Sequence, residues 1–465
     1  MRRRNVLMAV VLFVLAAAVW KVAHSPIPLQ DWLSQPQRSW MLAQGANPDV
    51  VPIRLPDVKP RSAVAELGRK LFFDPLLSGS GKLSCASCHD PAHAYAPDNR
   101  LSVQLGGGDM HRAGVRAVPS LAYLYRQPNF SIGPDDPENE SVNLQQQAAL
   151  GIQAPRARKM APDTQAPASN LVPKGGLFWD GRVNTLQQQA GGPLFNPLEM
   201  DGGTSAILVI KLEQAAYAHD FVQLFGPGVF RDPTLAVAEA MFALSRFQLE
   251  DPSFRPFSSK YDAWLQGRAR FTPAELRGYL AFNDPHKGNC AACHLDRVTR
   301  DGLPPLFTDM EYEALGAPRN AEIPANLDPH YFDLGLCGPY RTDLKQQTHY
   351  CGMFLTPTLR NAATRHAFFH NGAYHTLAQV LDFYALRDTE PEKIYGKGID
   401  GKTEKFNDVP AEDRANVDIT DPPFNRKSGD VSAMSMQDRR DIVAFLQTLN
   451  DGYSADQHES AQRSR

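Results

Sequence analysis

Two short stretches of the 465-residue chain carry the residue types most able to do chemistry. "SCASCHD" (84–90) holds Cys85, Cys88 and His89, and "NCAACHL" (289–295) holds Cys290, Cys293 and His294. A structural zinc site needs four thiolate or imidazole ligands, and neither copy has a second pair nearby. A thioredoxin-type dithiol needs no following histidine and sits in a βαβ pattern. CxxCH is instead the attachment sequence for a c-type haem, with cysteines spaced for its vinyl groups and the next imidazole turned under the iron. Two copies predict two covalently bound haems c, with Cys85, Cys88, Cys290 and Cys293 as attachment points and His89 and His294 as iron ligands.

The surroundings of the two copies repeat as well. "AELGRKLFFDP" (65–75) precedes the first and "AELRGYLAFNDP" (274–285) the second. Each reads as an amphipathic helix. Thr272-Pro273-Ala274-Glu275 combines an N-cap, a first-turn proline and a capping-box glutamate. Further helices are predicted over 232–251 and 435–451; in the latter, Ile442, Val443, Leu446 and Leu449 form one face, expected to pack on the helix that opens its module. The fold class is therefore mainly α: two cytochrome c-type helical modules with long loops, each binding one haem. The expected divisions are a leader at 1–25, a linker at 26–60, a first module at 61–255, a second at 256–453 and a tail at 454–465. Residues 126–176, rich in Pro, Gln and Asn, read as a loop insertion with one short helix near 143–150. Residues 385–430 are expected to wrap the second module.

Composition narrows the setting. Hydrophobic content of 43% and charged content of 21% are globular values. A net charge of −3 without a long basic run argues against nucleic acid as a partner. Arg2, Arg3 and Arg4 precede an apolar run from Val6 to Trp20 that ends near Ala16, Ala17 and Ala18. That pattern is an export signal, or an uncleaved anchor, since Lys21 spoils the cleavage site. The only membrane contact expected is through that segment, and the expected location is the periplasm. The remaining cysteines, Cys337 and Cys351, flank a loop of disulfide size, and a bridge is expected in an oxidising compartment.

With "KLSCASCHDP", "LFWDGRVNTLQQQAGGPLFNPLEM" (177–200), "GNCAACH" and "FLTPTLRNAATRHAFFHNGAYHTLAQVLDFY" (354–384) in this order, the chain resembles the bacterial dihaem cytochrome c peroxidase superfamily, which includes the MauG-type enzymes. The resemblance implies a peroxidatic N-terminal haem on His89 and an electron-transfer haem on His294. By position, Trp179 matches the tryptophan between the haems, and Gln189 and Glu199 match the pair above the reactive iron. A carboxylate there can move a proton between the two peroxide oxygens, and an amide can hold peroxide without titrating. Ordinary alternatives are a core indole, a solvated helix amide and a surface carboxylate.

Three positions depart from the peroxidase pattern. Where many members carry a gating histidine, this chain has Asp109, with His111 two residues on. The family's RNxP stretch reads Arg116-Ala117-Val118-Pro119, which removes an asparagine ligand and argues against the calcium that the resemblance implies. The usual methionine ligand of the second haem falls on Tyr384, as in MauG-type enzymes; Met353, Met434 and Met436 are the alternatives, and His370 is expected to orient a propionate or the adjacent loop. The resemblance thus implies an oxidoreductase that reduces hydrogen peroxide at the first haem with electrons relayed through the second from a small cytochrome c or cupredoxin. The alternatives are a MauG-like enzyme that uses high-valent dihaem iron to oxidise a partner protein, and a non-catalytic dihaem carrier. Compact members are often homodimers.

Overall fold

The computed structural model describes residues 35–134, 171–398 and 400–454. The leader, the short helix expected near 143–150 and the tail beyond Ser454 lie outside the described residues. Within them the protein is mainly helical, and its strands form three small two-stranded antiparallel pairs.

Each half is organised by one pair of helices. In the first, Ala63–Phe72 packs against Pro233–Glu250; in the second, Pro273–Asn283 packs against Met436–Gln447. Local sequence starts all four. Ser62 Oγ accepts from the Ala65 amide, Asp232 from the Thr234 and Leu235 amides, and Thr272 and Ser435 each close a capping box with Glu275 and Asp438. Where each pair crosses, a glycine lets the backbones touch. A Cβ on Gly68 would lie 1.9 Å from the Ala243 carbonyl oxygen, and one on Gly278 would lie 1.9 Å from that of Asp441. The same contact is made twice, at equivalent places in the two halves.

Behind each crossing sits an aromatic core. Phe72 packs edge-on to Tyr95 and Phe254 and tilted against Phe247. In the second half Phe445 is surrounded by Tyr261, Phe271, Phe282 and Phe307. Emptying either centre to alanine costs about 3–5 kcal/mol. The first core draws on residues between Val64 and Phe254, the second on Tyr261 to Tyr453.

Two segments differ from their sequence reading. The described part of the 26–60 linker is docked structure. Helix Gln35–Ala43 leads into a strap whose Leu42, Val51 and Ile53 pack on the second core, while the Gly45 carbonyl accepts from the Phe271 amide and from Trp264 Nε1. Its few, irregularly spaced apolar residues show no period, so the docking was not visible locally. The ends of the 126–176 insertion are also ordered: Ser131–Pro134 pairs antiparallel with Leu171–Lys174. Phe130 and Ile132 then pack on a small core around the Cys337–Cys351 disulfide. The 385–430 segment lies along the second module, where buried Arg387 donates to the Leu315 carbonyl (2.8 Å) and pairs with Asp388.

Candidate haem sites

In both halves the CxxCH residues lie on one tight helical turn, Cys85–Cys88 and Cys290–Ala292. The amide of His89 donates to the Cys85 carbonyl (2.9 Å) and that of His294 to Cys290 (2.8 Å). Residues i, i+3 and i+4 of a helical turn share a face, so both thiols and the imidazole look the same way, into a cavity. The His89 cavity is walled by Phe72, Leu121, Leu198 and Met200, and the His294 cavity by Phe282, Leu359, Leu381 and Phe424 among others, so both are largely apolar. Burial pushes the Cys85 and Cys290 thiols up to about 12 and Cys88 to about 11.

The imidazoles are aimed by one device used twice. His89 Nδ1 donates to the Tyr95 carbonyl at 3.0 Å, and His294 Nδ1 donates to the Phe307 carbonyl at 2.9 Å. That fixes the tautomer and leaves Nε2 as the nitrogen that could coordinate an iron. Burial holds both imidazoles neutral, His89 down at about 4. Tyr95 (φ +59°) and Phe307 (φ +56°) both occupy the left-handed region, a strain of about 1–3 kcal/mol for a bulky residue. Two thiols, a fixed neutral imidazole and a large apolar cavity fit a covalently attached haem in each half.

The "NPLEM" stretch is a turn built by Asn196, which ends helix Leu186–Phe195. Its Oδ1 accepts from the Leu198 amide (3.0 Å) and its Nδ2 donates to Glu199 Oε1 (2.6 Å), so one residue makes the turn and aims the carboxylate. Glu199 and Gln189, one helix apart, both line the His89 cavity. Glu199 is accessible through that cavity, yet enough protein surrounds it that desolvation raises its pKa above the ordinary glutamate value. The Asn196 hydrogen bond and the Arg182 and Arg116 charges pull the other way.

"FWDGR" sits on the seam between the halves. The Trp179 indole lines both cavities. Its Nε1 donates to the Ala117 carbonyl (2.8 Å) in the first half, and its own carbonyl accepts from the Leu355 amide (2.9 Å) in the second. Asp180, fully buried, pairs with Arg116 (2.7 Å) and Arg182 (2.9 Å), and Arg116 continues to Asp333 (2.6 Å) of the second half. A Cβ on Gly181 (φ +62°) would lie 2.0 Å from the Tyr312 hydroxyl.

In the His294 cavity, Tyr384 on helix Leu377–Leu386 lines the wall and stacks on Phe424 (centroids 5.3 Å apart). Met353, Met434 and Met436 do not line it; Met434 is buried in the core and Met436 is exposed on the surface. Burial raises the Tyr384 phenol well above its usual value. His370 lines the same cavity, stacks on Phe354 and lies 3.4 Å from Asp408.

Asp109 and His111 belong to neither cavity wall. They cap the hairpin Leu105–Gly106/Arg112–Ala113, both exposed, with Asp109 Oδ1 accepting from the His111 amide (3.1 Å). The Gly107 amide donates to the Glu199 carbonyl (2.7 Å), and a Cβ on Gly106 would lie 2.4 Å from that oxygen, so the hairpin is pinned to the Glu199 turn. From its stem, Gln104, Leu105 and Gly114 reach the cavity.

Sequence reasoning missed three residues of the His89 cavity wall: Arg116, Arg182 and Tyr340. Tyr340 comes from the disulfide loop of the second half and lies 5.1 Å from the Arg116 guanidinium and 5.3 Å from that of Arg182. Arg182 is the last residue of FWDGR, a motif already singled out, and could have been suspected; Tyr340 carries no local signal.

Comparison with known proteins agrees with this geometry. Residues 62–270 match the model of the family described as di-haem cytochrome c peroxidase. The methylamine utilization protein MauG of Paracoccus denitrificans is 34% identical over 69% of this chain and 74% of its own. The cytochrome c551 peroxidase of Nitrosomonas europaea is 28% identical over 72% and 77%. Among solved structures, the diheme peroxidase BthA from Burkholderia thailandensis superposes with a TM-score of 0.71 at 34% identity, covering 87% of this chain and 94% of that one. The chain therefore belongs to the di-haem cytochrome c peroxidase family, which includes MauG, and is an oxidoreductase.

Proposed function

We propose that the protein is a periplasmic enzyme that reacts hydrogen peroxide at a haem c attached through Cys85 and Cys88 and shares the oxidising equivalents with a second attached through Cys290 and Cys293. The iron held by His89 supplies the redox centre for peroxide cleavage. The observation that carries this reading is an asymmetry. Of the two cavities that face a CxxCH turn, Glu199 and Gln189 line only that of His89, while Trp179 lines both. Glu199 takes the proton from the inner peroxide oxygen and delivers it to the outer one, a role suited by its raised pKa. Gln189 positions the peroxide by hydrogen bonding. The Trp179 indole carries electrons across the seam. A non-catalytic carrier would have no use for the Glu199 carboxylate.

Tyr384 would supply the phenol that helps hold the second haem, because it alone of the four candidates lines that cavity. With no imidazole from the hairpin in the His89 cavity wall, the oxidised protein is expected to react without prior reduction. Both features favour a second reading, in which the enzyme, like MauG, oxidises a partner protein in place of drawing electrons from a small cytochrome c or cupredoxin. No calcium is proposed between the halves: Ala117 offers no side-chain oxygen, its carbonyl accepts from Trp179, and its amide donates to His370 (2.7 Å).

Stopped-flow mixing of the diferric protein with stoichiometric peroxide tests the reading. Immediate loss of the high-spin signal is expected; two low-spin haems inert to peroxide would establish the carrier. Adding a reduced small cytochrome c or cupredoxin then separates the two enzymes. Rapid donor oxidation marks a peroxidase, and a persistent oxidised state that ignores the donor marks the MauG-like enzyme.

A further inference from the structure

Arg365 is a half-buried cation between the two halves with no carboxylate partner among the described residues. It borders a cavity of about 670 Å³ together with Pro119, Trp179, Gln189, Thr356 and Pro357. Pro119, Trp179 and Gln189 also line the His89 cavity, and Trp179, Thr356 and Pro357 the His294 cavity, so this space adjoins both. One Arg365 contact is a hydrogen bond from Nη2 to the Val118 carbonyl at 3.0 Å, and Val118 itself lines the His89 cavity.

The contrast with other inward-facing arginines is sharp. Arg116 pairs with Asp180 and Asp333, Arg341 with Asp343, Arg360 with Asp262 and Arg387 with Asp388. No carboxylate among the described residues pairs with Arg365. Carboxylates raise Arg116 and Arg360 above the ordinary arginine value, whereas burial pushes Arg365 down to about 10. An isolated buried charge is costly unless it is paired, and a planar guanidinium is shaped for an oxyanion. The described residues supply none, but the group that fits the adjoining cavity does, since a haem carries its propionate carboxylates on one edge.

We propose that Arg365 is the counter-charge for a propionate of the haem attached at Cys85 and Cys88, and thereby a positioning residue that holds that haem's reduction potential up. The inference rests on the reading that haem is attached there. Val118 ties the guanidinium to the His89 side, and its positive charge favours the ferrous over the ferric state of the nearer iron.

The test is redox titration of the full-length holoprotein with R365Q and R365K, after counting covalent haem by the pyridine haemochromogen. R365Q is expected to shift the reduction equilibrium of the His89 haem about tenfold toward ferric, about 59 mV for one electron. The His294 haem should move less, and R365K should restore most of the shift. Unmoved potentials in R365Q would overturn the inference. So would R365K displaced as far as R365Q, which would mean packing, or a shift seen only with added chloride or phosphate, which would make a dissolved anion the partner. If R365Q fails to load haem, the propionate band in the resonance Raman spectrum of R365K decides instead: a moved band supports the inference and an unmoved one overturns it. Fewer than two covalent haems in the unaltered protein would overturn the attachment reading and this inference with it; two haems with unmoved potentials would overturn this inference alone.

Discussion

The two halves of the molecule share a frame and differ in what they hang on it. Both cross their opening and closing helices at a glycine 1.9 Å, by its missing Cβ, from a carbonyl. Both aim the CxxCH imidazole with a carbonyl from an aromatic residue at positive φ. The cavity walls then diverge. The first half sets a carboxyl of raised pKa and an amide in the cavity its imidazole faces, with Arg116, Arg182 and a borrowed Tyr340 in the same wall. The second sets a phenol and a histidine stacked on Phe354. Under the proposed function, a common frame with different walls would let one module serve reaction in one copy and electron relay in the other: the frame would hold the haem, and the wall would set its chemistry.

The hardest test of this comparison exchanges the histidines. Replacing His89 by alanine should abolish peroxide turnover while the second haem keeps its low-spin spectrum; His294→Ala should spare the initial peroxide reaction and lose the relay. Stopped-flow absorbance reads both, and turnover surviving in the first variant would reverse the assignment of the halves. Next in size, Glu199→Gln should slow peroxide cleavage by about 10²–10⁴ with both haems retained. Its raised pKa has a further consequence. The reaction needs the carboxylate as base, so the rate should fall with acid at a higher pH than an ordinary glutamate would dictate, and that acid limb should vanish in the glutamine variant.

The seam is tested by stability. Arg116→Met leaves Asp180 and Asp333 buried without their shared partner, a loss of about 3–5 kcal/mol that urea unfolding followed by tryptophan fluorescence would read. The frame itself predicts matched, smaller effects. Gly68→Ala and Gly278→Ala each force a methyl into a backbone carbonyl, and each should cost about 1–3 kcal/mol or more. Unequal losses would show that the duplication is less symmetric than the contacts suggest. Smallest of all, His111→Ala should leave the diferric reaction with peroxide unchanged, because that imidazole lies on an exposed hairpin tip outside the cavity wall. Faster reaction in the variant would make His111 a gate after all.

What the sequence determined by itself is whatever depends on neighbours in the chain. The CxxCH turns follow from helical spacing of three and four residues, and the Thr272 and Ser435 capping boxes from side chains that bond their own backbone three residues on. The Asn196 turn that presents Glu199 is equally local. Tertiary structure alone decided the rest. The docking of residues 35–56 on the second core depends on single apolar side chains meeting a surface more than two hundred residues away. Trp179 became shared by two cavities, Tyr340 crossed into the other half's wall, and Arg365 was set at the seam with no carboxylate partner among the described residues, because the halves fold against each other. No local period records such meetings. Burial and charge pairing are properties of the assembled seam, and the seam exists only once both modules have formed.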